Sequence, residues 1–238
     1  MIRFLHTLAA ICAATLACIS GVQAASVSGD TTPFSATSFP GSTAPAVRFR
    51  NQNSGDELYV GYDLGSNANR TERGFTYTAS APFSVAFDTV SNMVTGTYGN
   101  TVSASRGTPA SATEINAIEV SITGPRYFSN GNEPNYFSFT GLTLNGMPLA
   151  PSNALIGITP PDRRSTLSFY VWDFAQAPSY TLAGTLNYAG TLGVNGSSEG
   201  ARAEFRFGSV TPVPLPAAVW LLIAALGGLW SFARRRPA

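Results

Sequence analysis

Between residues 46 and 210 the pattern of apolar and polar side chains is mainly one of period two, in separate runs. Leu58, Val60 and Tyr62 alternate with Tyr59 and Gly61, and Phe75, Tyr77 and Ala79 with Thr76 and Thr78. Phe83, Val85 and Phe87 alternate with Ser84, Ala86 and Asp88. Leu167, Phe169 and Val171 alternate with Ser168, Tyr170 and Trp172, and Phe205 and Phe207 with Glu204 and Arg206. Tyr180, Leu182, Gly184, Leu186 and Tyr188 fall on one side of a further run. A period of two sends successive side chains to opposite faces of an extended chain, so each run reads as a strand with one buried face. Turn signals separate the runs: Asn53-Ser54-Gly55, Asn130-Gly131, Asn145-Gly146 and Asn195-Gly196. Pro148 follows the third closely and weakens a simple hairpin there. About ten short strands with frequent turns predict an all-β body, an antiparallel β-sandwich or jelly roll.

The body, residues 25–210, has no cysteine, because Cys12 and Cys18 both lie in the leader. It therefore folds without disulfides and depends on its core, which a chain of this size can supply. Residues 25–45, rich in Ser, Thr, Gly and Pro, predict an irregular lead-in to a sandwich over 46–210. Ser111 to Glu114 has the form of a capping box, yet Ile118, Val120 and Ile122 suit a strand, so a strand after a short helical turn is expected.

The two ends differ from the body. Residues 1–24 read as a secretory signal peptide. Arg3 supplies the positive start, Leu8 to Ile19 an apolar run, and Val22-Gln23-Ala24 the small residues that place cleavage after Ala24. Two rival readings are a retained anchor and lipoprotein processing at Cys18, where Thr15 stands in place of the expected leucine. At the other end, residues 217–233 carry no charge and precede Arg234, Arg235 and Arg236. As a helix, those 17 residues cover roughly 25 Å, a short transmembrane span; a buried core helix is the rival reading. Each arginine costs about 2.5–3.5 kcal/mol at a membrane centre, so residues 234–238 stay cytoplasmic as a stop-transfer cluster. The body then lies on the far side, in agreement with the leader.

Val213, Pro214, Leu215, Pro216 and Ala217 stand immediately before that apolar segment, within a proline-rich stretch at 211–216. The ordered unit of Pro-x-Pro, short hydrophobic helix and arginine cluster resembles the PEP-CTERM signal of exosortase-sorted bacterial surface proteins. Val213 to Ala217 matches the VPLPA-CTERM variant, with Leu215 where the glutamate of Pro-Glu-Pro would stand. The resemblance covers residues 213–236. It implies recognition near Val213–Ala217 by an exosortase-type membrane transpeptidase, after export and the action of signal peptidase. The body would then reach the cell surface or the matrix around it, often in a biofilm. A weaker resemblance joins residues 59–88 to extracellular choice-of-anchor β-sandwich modules and implies no activity.

Composition narrows the chemistry of the body. It has no histidine, cysteine or lysine, since His6 and both cysteines fall in the leader. The usual nucleophile–histidine sites and zinc sites therefore cannot be built. Ten arginines against 13 carboxylates give the body a net charge of −3 and no basic footprint for nucleic acid. Paired carboxylates leave glycoside cleavage open, with Asp56, Glu57, Asp63, Glu72, Asp88, Glu133 and Asp173 as candidates and no motif to pair them. No cofactor is required, although calcium fits oxygen-rich loops such as Asp63 to Glu72 and Asn130 to Asn135. Gly74 stands where the loop of an EF-hand would need its glutamate. Tyr59, Tyr170 and Trp172 lie off the expected core faces and suit either a sugar-stacking platform or packing under loops. The leading expectation is a non-enzymatic, structural or adhesive surface protein. The alternatives are an exopolysaccharide-binding module and, behind it, a two-carboxylate glycoside hydrolase.

Overall fold

The computed structural model describes residues 25–28, 34–39, 43–52, 55–109, 114–123, 136–149, 166–189 and 202–212. They form fourteen strands: β1 Ser26–Ser28, β2 Phe34–Ser38, β3 Ala46–Gln52, β4 Gly55–Gly61, β5 Arg70–Phe75, β6 Ser80–Asp88, β7 Met93–Tyr98, β8 Val102–Gly107, β9 Ala117–Thr123, β10 Tyr136–Leu144, β11 Met147–Pro148, β12 Thr166–Trp172, β13 Ser179–Ala189 and β14 Arg202–Pro212. A single 3-10 turn, Asn67–Asn69, precedes β5. No described helix is long and apolar enough to cross a membrane.

One sheet has eight strands in the order β1-β12-β9-β14-β3-β4-β5, with β2 paired to the far half of β14; the other has six, β11-β10-β13-β6-β7-β8. Among the described residues, all twelve strand pairings are antiparallel. The inward positions of both sheets form one core. Val47, Phe49, Leu58, Val60, Ile118, Val120, Phe205 and Phe207 come from the larger sheet, and Phe83, Val85, Phe87, Phe139, Leu182 and Leu186 from the smaller. Phe205 links the two sheets: its ring lies 5.9 Å from Phe49, 5.3 Å from Phe83 and 5.5 Å from Phe139. Offset and edge-on ring pairs of this kind add about 0.5–1.5 kcal/mol each beyond the area they bury.

The sheets converge along one border and part along the other. At the near border β7 approaches so closely that a Cβ on Gly96 would stand 2.7 Å from Val47 Cγ1 and 3.0 Å from Leu58 Cδ1. There Thr71 Oγ1 donates to the Ser105 carbonyl at 3.2 Å and Arg106 to the Ala68 carbonyl at 2.5 Å. At the opposite border, between β1 and β11, a cleft of about 180 Å³ opens among Ala25, Leu144, Met147, Leu149, Phe174 and Ala177.

Several expectations need correction. The lead-in is not irregular throughout: β2 pairs with Ser209–Pro212 of β14, and β1 with β12. Strand β14 itself runs to Pro212, two residues into the stretch expected to begin the proline-rich motif. Phe75, Tyr77 and Ala79 do not share one strand, because β5 ends at Phe75 and β6 begins at Ser80; Tyr77 joins the core from the link, while Ala79 is exposed. Tyr62 leaves the core face because β4 stops at Gly61. Pro148 does not prevent the hairpin at Asn145-Gly146. Both residues take positive φ, 51° and 81°, as a two-residue turn demands, and the proline sits on an edge strand two residues long. Residues 117–123 are a strand, while Ser111 to Thr113 lie outside the described residues.

Candidate functional site: the two outer faces of the sandwich

Alternation that buries Val47 and Phe49 turns Arg48 and Arg50 outward from β3, and the same holds along β14, β4, β5 and β9. Register then brings these polar residues opposite one another. Arg50 pairs with Glu57, Tyr59 with Glu72, Glu204 with Arg48, and Arg206 with Glu119. The result is a charged ladder across five strands. Arg48 Nε meets Glu204 Oε2 at 2.6 Å, and Arg206 meets Glu204 Oε1 at 2.6 Å and Glu119 Oε2 at 3.8 Å. Arg50 meets Glu57 at 2.7 Å, and Arg70 meets Glu72 at 3.3 Å.

Tyr59 is the centre of the second cluster. The guanidinium carbons of Arg50 and Arg70 lie 4.1 Å and 3.8 Å from its ring centroid. Its hydroxyl donates to Glu57 Oε2 at 2.9 Å and accepts from Arg50 and, at 3.2 Å, from Arg70. Burial, with the neighbouring Glu57 carboxylate, pushes this phenol well above its usual range, so Tyr59 stays protonated. Burial also pushes Glu57 and Glu204 upward, but their arginine partners outweigh it. Hydrogen bonds from Arg50 and Tyr59 hold Glu57 below the usual carboxylate range, and Arg48 and Arg206 do the same for Glu204. Arg48, Arg50 and Glu204 are all less than a tenth exposed. These groups are equipped to keep charge fixed and strands in register. A general acid for glycoside cleavage needs the opposite shift.

The outer face of the six-stranded sheet has a different chemistry. One cross-strand row runs Thr143, Ala183, Ser84, Thr97, Ser103 and another Thr181, Ala86, Thr95, Ser105. Neighbours exchange hydroxyl hydrogen bonds: Ser84 with Thr97, Thr95 with Ser105 at 2.8 Å, Ser80 with Asn187 at 2.9 Å, and Asn187 with Thr140 at 3.1 Å. Among the described residues of this face, the only charge is Asp88 at the rim. Its carboxylate accepts from the Val90 and Ser91 amides, both at 2.8 Å, which lowers it below its usual range. The face is open: Ser103, Ser105 and Thr140 are exposed, and the central positions are half-buried.

The other residues nominated by sequence are dispersed. Asp56 belongs to the inner side, where Oδ2 accepts the Tyr77 amide at 2.6 Å. Of the candidate carboxylates, only Glu57 and Glu72 share the charged ladder. In the Asp63–Glu72 loop, Asp63 Oδ2 accepts from the Asn69 amide at 3.5 Å, and Arg70 takes the Leu64 carbonyl at 2.8 Å. Among the described residues, no three His, Cys, Asp or Glu side chains gather as metal ligands. Of the two readings of the off-face aromatics, the described residues show packing. Tyr59 lies under its two arginines, Tyr170 is buried, and Trp172 is half-buried. Phe34 packs edge-on to both Tyr170 and Trp172, at 5.4 Å and 5.1 Å. Sequence reasoning allowed for a cover but did not place it in β2, and it missed the ladder. The alternation Val47-Arg48-Phe49-Arg50, with its two like charges on one face, was the available signal for the ladder. Ala24, Val213 to Ala217, Arg234 to Arg236, Glu133 and the loop at 130–135 lie outside the described residues.

Two packed antiparallel sheets define the body as an all-β protein of sandwich-like build. No protein-family model matches the chain, and no curated protein is significantly similar to it.

Proposed function

We propose that this chain is a non-enzymatic, exported surface or matrix protein with a structural or adhesive role, sorted through its C-terminal signal. The observation that carries the reading is the ordered C-terminal unit. Two prolines in Val213–Ala217 precede 17 uncharged residues and then Arg234–Arg236. Proline at 214 and 216 disfavours helix at and just before those positions, which keeps that backbone accessible to an exosortase-type transpeptidase. The apolar segment spans the inner membrane, the arginines hold its end in the cytoplasm, and the sandwich stands outside. A fold that relies on a large aromatic core and no disulfide suits a chain that crosses the membrane unfolded and folds afterwards. Protease added to intact spheroplasts tests this topology: the body is digested while cytoplasmic markers survive. Protection of the body until the cells are lysed contradicts it.

The hydroxyl face favours a second reading, the binding of an uncharged exopolysaccharide. Its Ser, Thr and Asn side chains offer donors and acceptors without fixed charge, which suits a neutral, hydroxyl-rich polymer better than an anionic one. Replacing Thr95 alone by glutamate, with the fold checked by circular dichroism, abolishes retention on a neutral polysaccharide column. Unchanged retention removes this reading.

A further inference from the structure

Ala25, the residue that follows the expected cut, is part of the folded core. It is only 6% exposed, belongs to the main hydrophobic cluster, and lines the cleft with Leu144, Leu149 and Phe174. The next three residues are already strand β1: Ser26, Val27 and Ser28 stand opposite Trp172, Val171 and Tyr170 of β12, and Val27 packs against the same core. A peptidase binds its substrate as an extended segment, using backbone groups and side-chain pockets on both sides of the scissile bond. In the folded body, the downstream half of that segment is committed to β12 and to the core.

We infer that docking of β1 blocks removal of the leader, so that signal peptidase must cut between Ala24 and Ala25 before β1 docks, and docking then seals the new N-terminus against the cleft. The inference rests on the signal-peptide reading above and adds an order of events to it. The device is local. β1 contributes three register pairs to one neighbour at a sheet edge, so it is the piece of the larger sheet that can stay open while the rest folds. A chain that folds completely before processing would keep its leader.

The test uses the full-length precursor in detergent with purified bacterial type I signal peptidase, followed by intact-mass analysis. Three relatives of the chain are compared with it. Phe205→Asp places a charge in the middle of the buried core and serves as the unfolded substrate. Val27→Asp, three residues beyond the cut, expels β1 while the remaining sandwich, monitored by near-ultraviolet circular dichroism, stays folded. A third carries six Gly/Ser residues between Ala25 and Ser26, which moves the cut outside the fold. The folded precursor is cut about tenfold or more slowly than the Phe205→Asp chain, and the other two recover the fast rate. Equal rates for the folded precursor and the Phe205→Asp chain overturn the inference while leaving the leader reading intact. Failure of the peptidase on every chain, the unfolded one included, overturns the signal-peptide reading and the inference with it. If Val27→Asp does not fold, the insertion chain decides: a folded insertion chain that remains slow also overturns the inference.

Discussion

Glu204 shows how single side chains set the behaviour of the charged face. It sits 4% exposed between Arg48 and Arg206, each 2.6 Å away. Burial alone would raise its pKa, but the two guanidinium groups outweigh burial and hold it below the ordinary 4.5. A carboxylate whose folded pKa is depressed contributes stability that is complete above the unfolded value and is lost as pH falls through the folded one. Glu57 is shifted in the same direction. Urea unfolding therefore shows a midpoint that is steady from neutral pH to about 5 and declines on acidification below 4.5. Glu204→Gln costs about 3 kcal/mol at pH 7, because the buried Arg48 guanidinium loses its carboxylate and Arg206 keeps only the more distant Glu119, and the deficit shrinks at pH 3. A paired replacement, Arg48→Met with Glu204→Leu, costs less than the single change, since an apolar pair needs no counter-charge. A single variant as stable as the parent at pH 7 contradicts this view of the ladder.

At the scale of elements, two features hold the sandwich at places the sequence did not mark. Strand β2 lays Phe34 over Tyr170 and Trp172, on the outer side of the larger sheet. Phe34→Ala removes a ring that is 9% exposed, costs about 3 kcal/mol, and moves the emission of Trp172 to the red as water reaches the indole. An unshifted spectrum from the body, in which Trp172 is the single tryptophan, contradicts that cover. Gly96 marks the closest approach of the sheets, and Gly96→Ala, forced against Val47 and Leu58, costs about 1–3 kcal/mol by thermal unfolding. The period-two runs at 83–87, 118–122, 169–171 and 180–188 were legible, because each pairs a strong apolar face with a polar one. Strands β1 and β2 were not, since Ser26–Ser28 and Phe34–Ser38 are mostly small polar residues whose strand state comes from partners more than a hundred residues away. The aromatic runs left two readings open for a related reason. Tyr59, Tyr170 and Trp172 look exposed by phase, but neighbouring arginines and β2 cover them, and phase reports a face without reporting what lies on it.

For the whole molecule, core and ends make separate statements. The core draws on residues from Ala25 to Phe207 and joins two sheets of eight and six strands without a disulfide. The function proposed for that body rests on the segments beside it, whose chemistry is written in sequence order: an apolar stretch from Leu8 to Ile19 with small residues up to Ala24, the Val213–Ala217 motif, an uncharged stretch and three arginines. The all-β class was readable from alternation. The charged and hydroxyl faces were not, because each is assembled by register across strands distant in the chain. Intact-mass spectrometry of the protein recovered from its own cells tests the central claim most directly. The account predicts a polypeptide that begins at Ala25, lacks Arg234–Arg236 and ends close to Val213–Ala217. A single species of all 238 residues, Met1 to Ala238, recovered with the cytosolic proteins contradicts it.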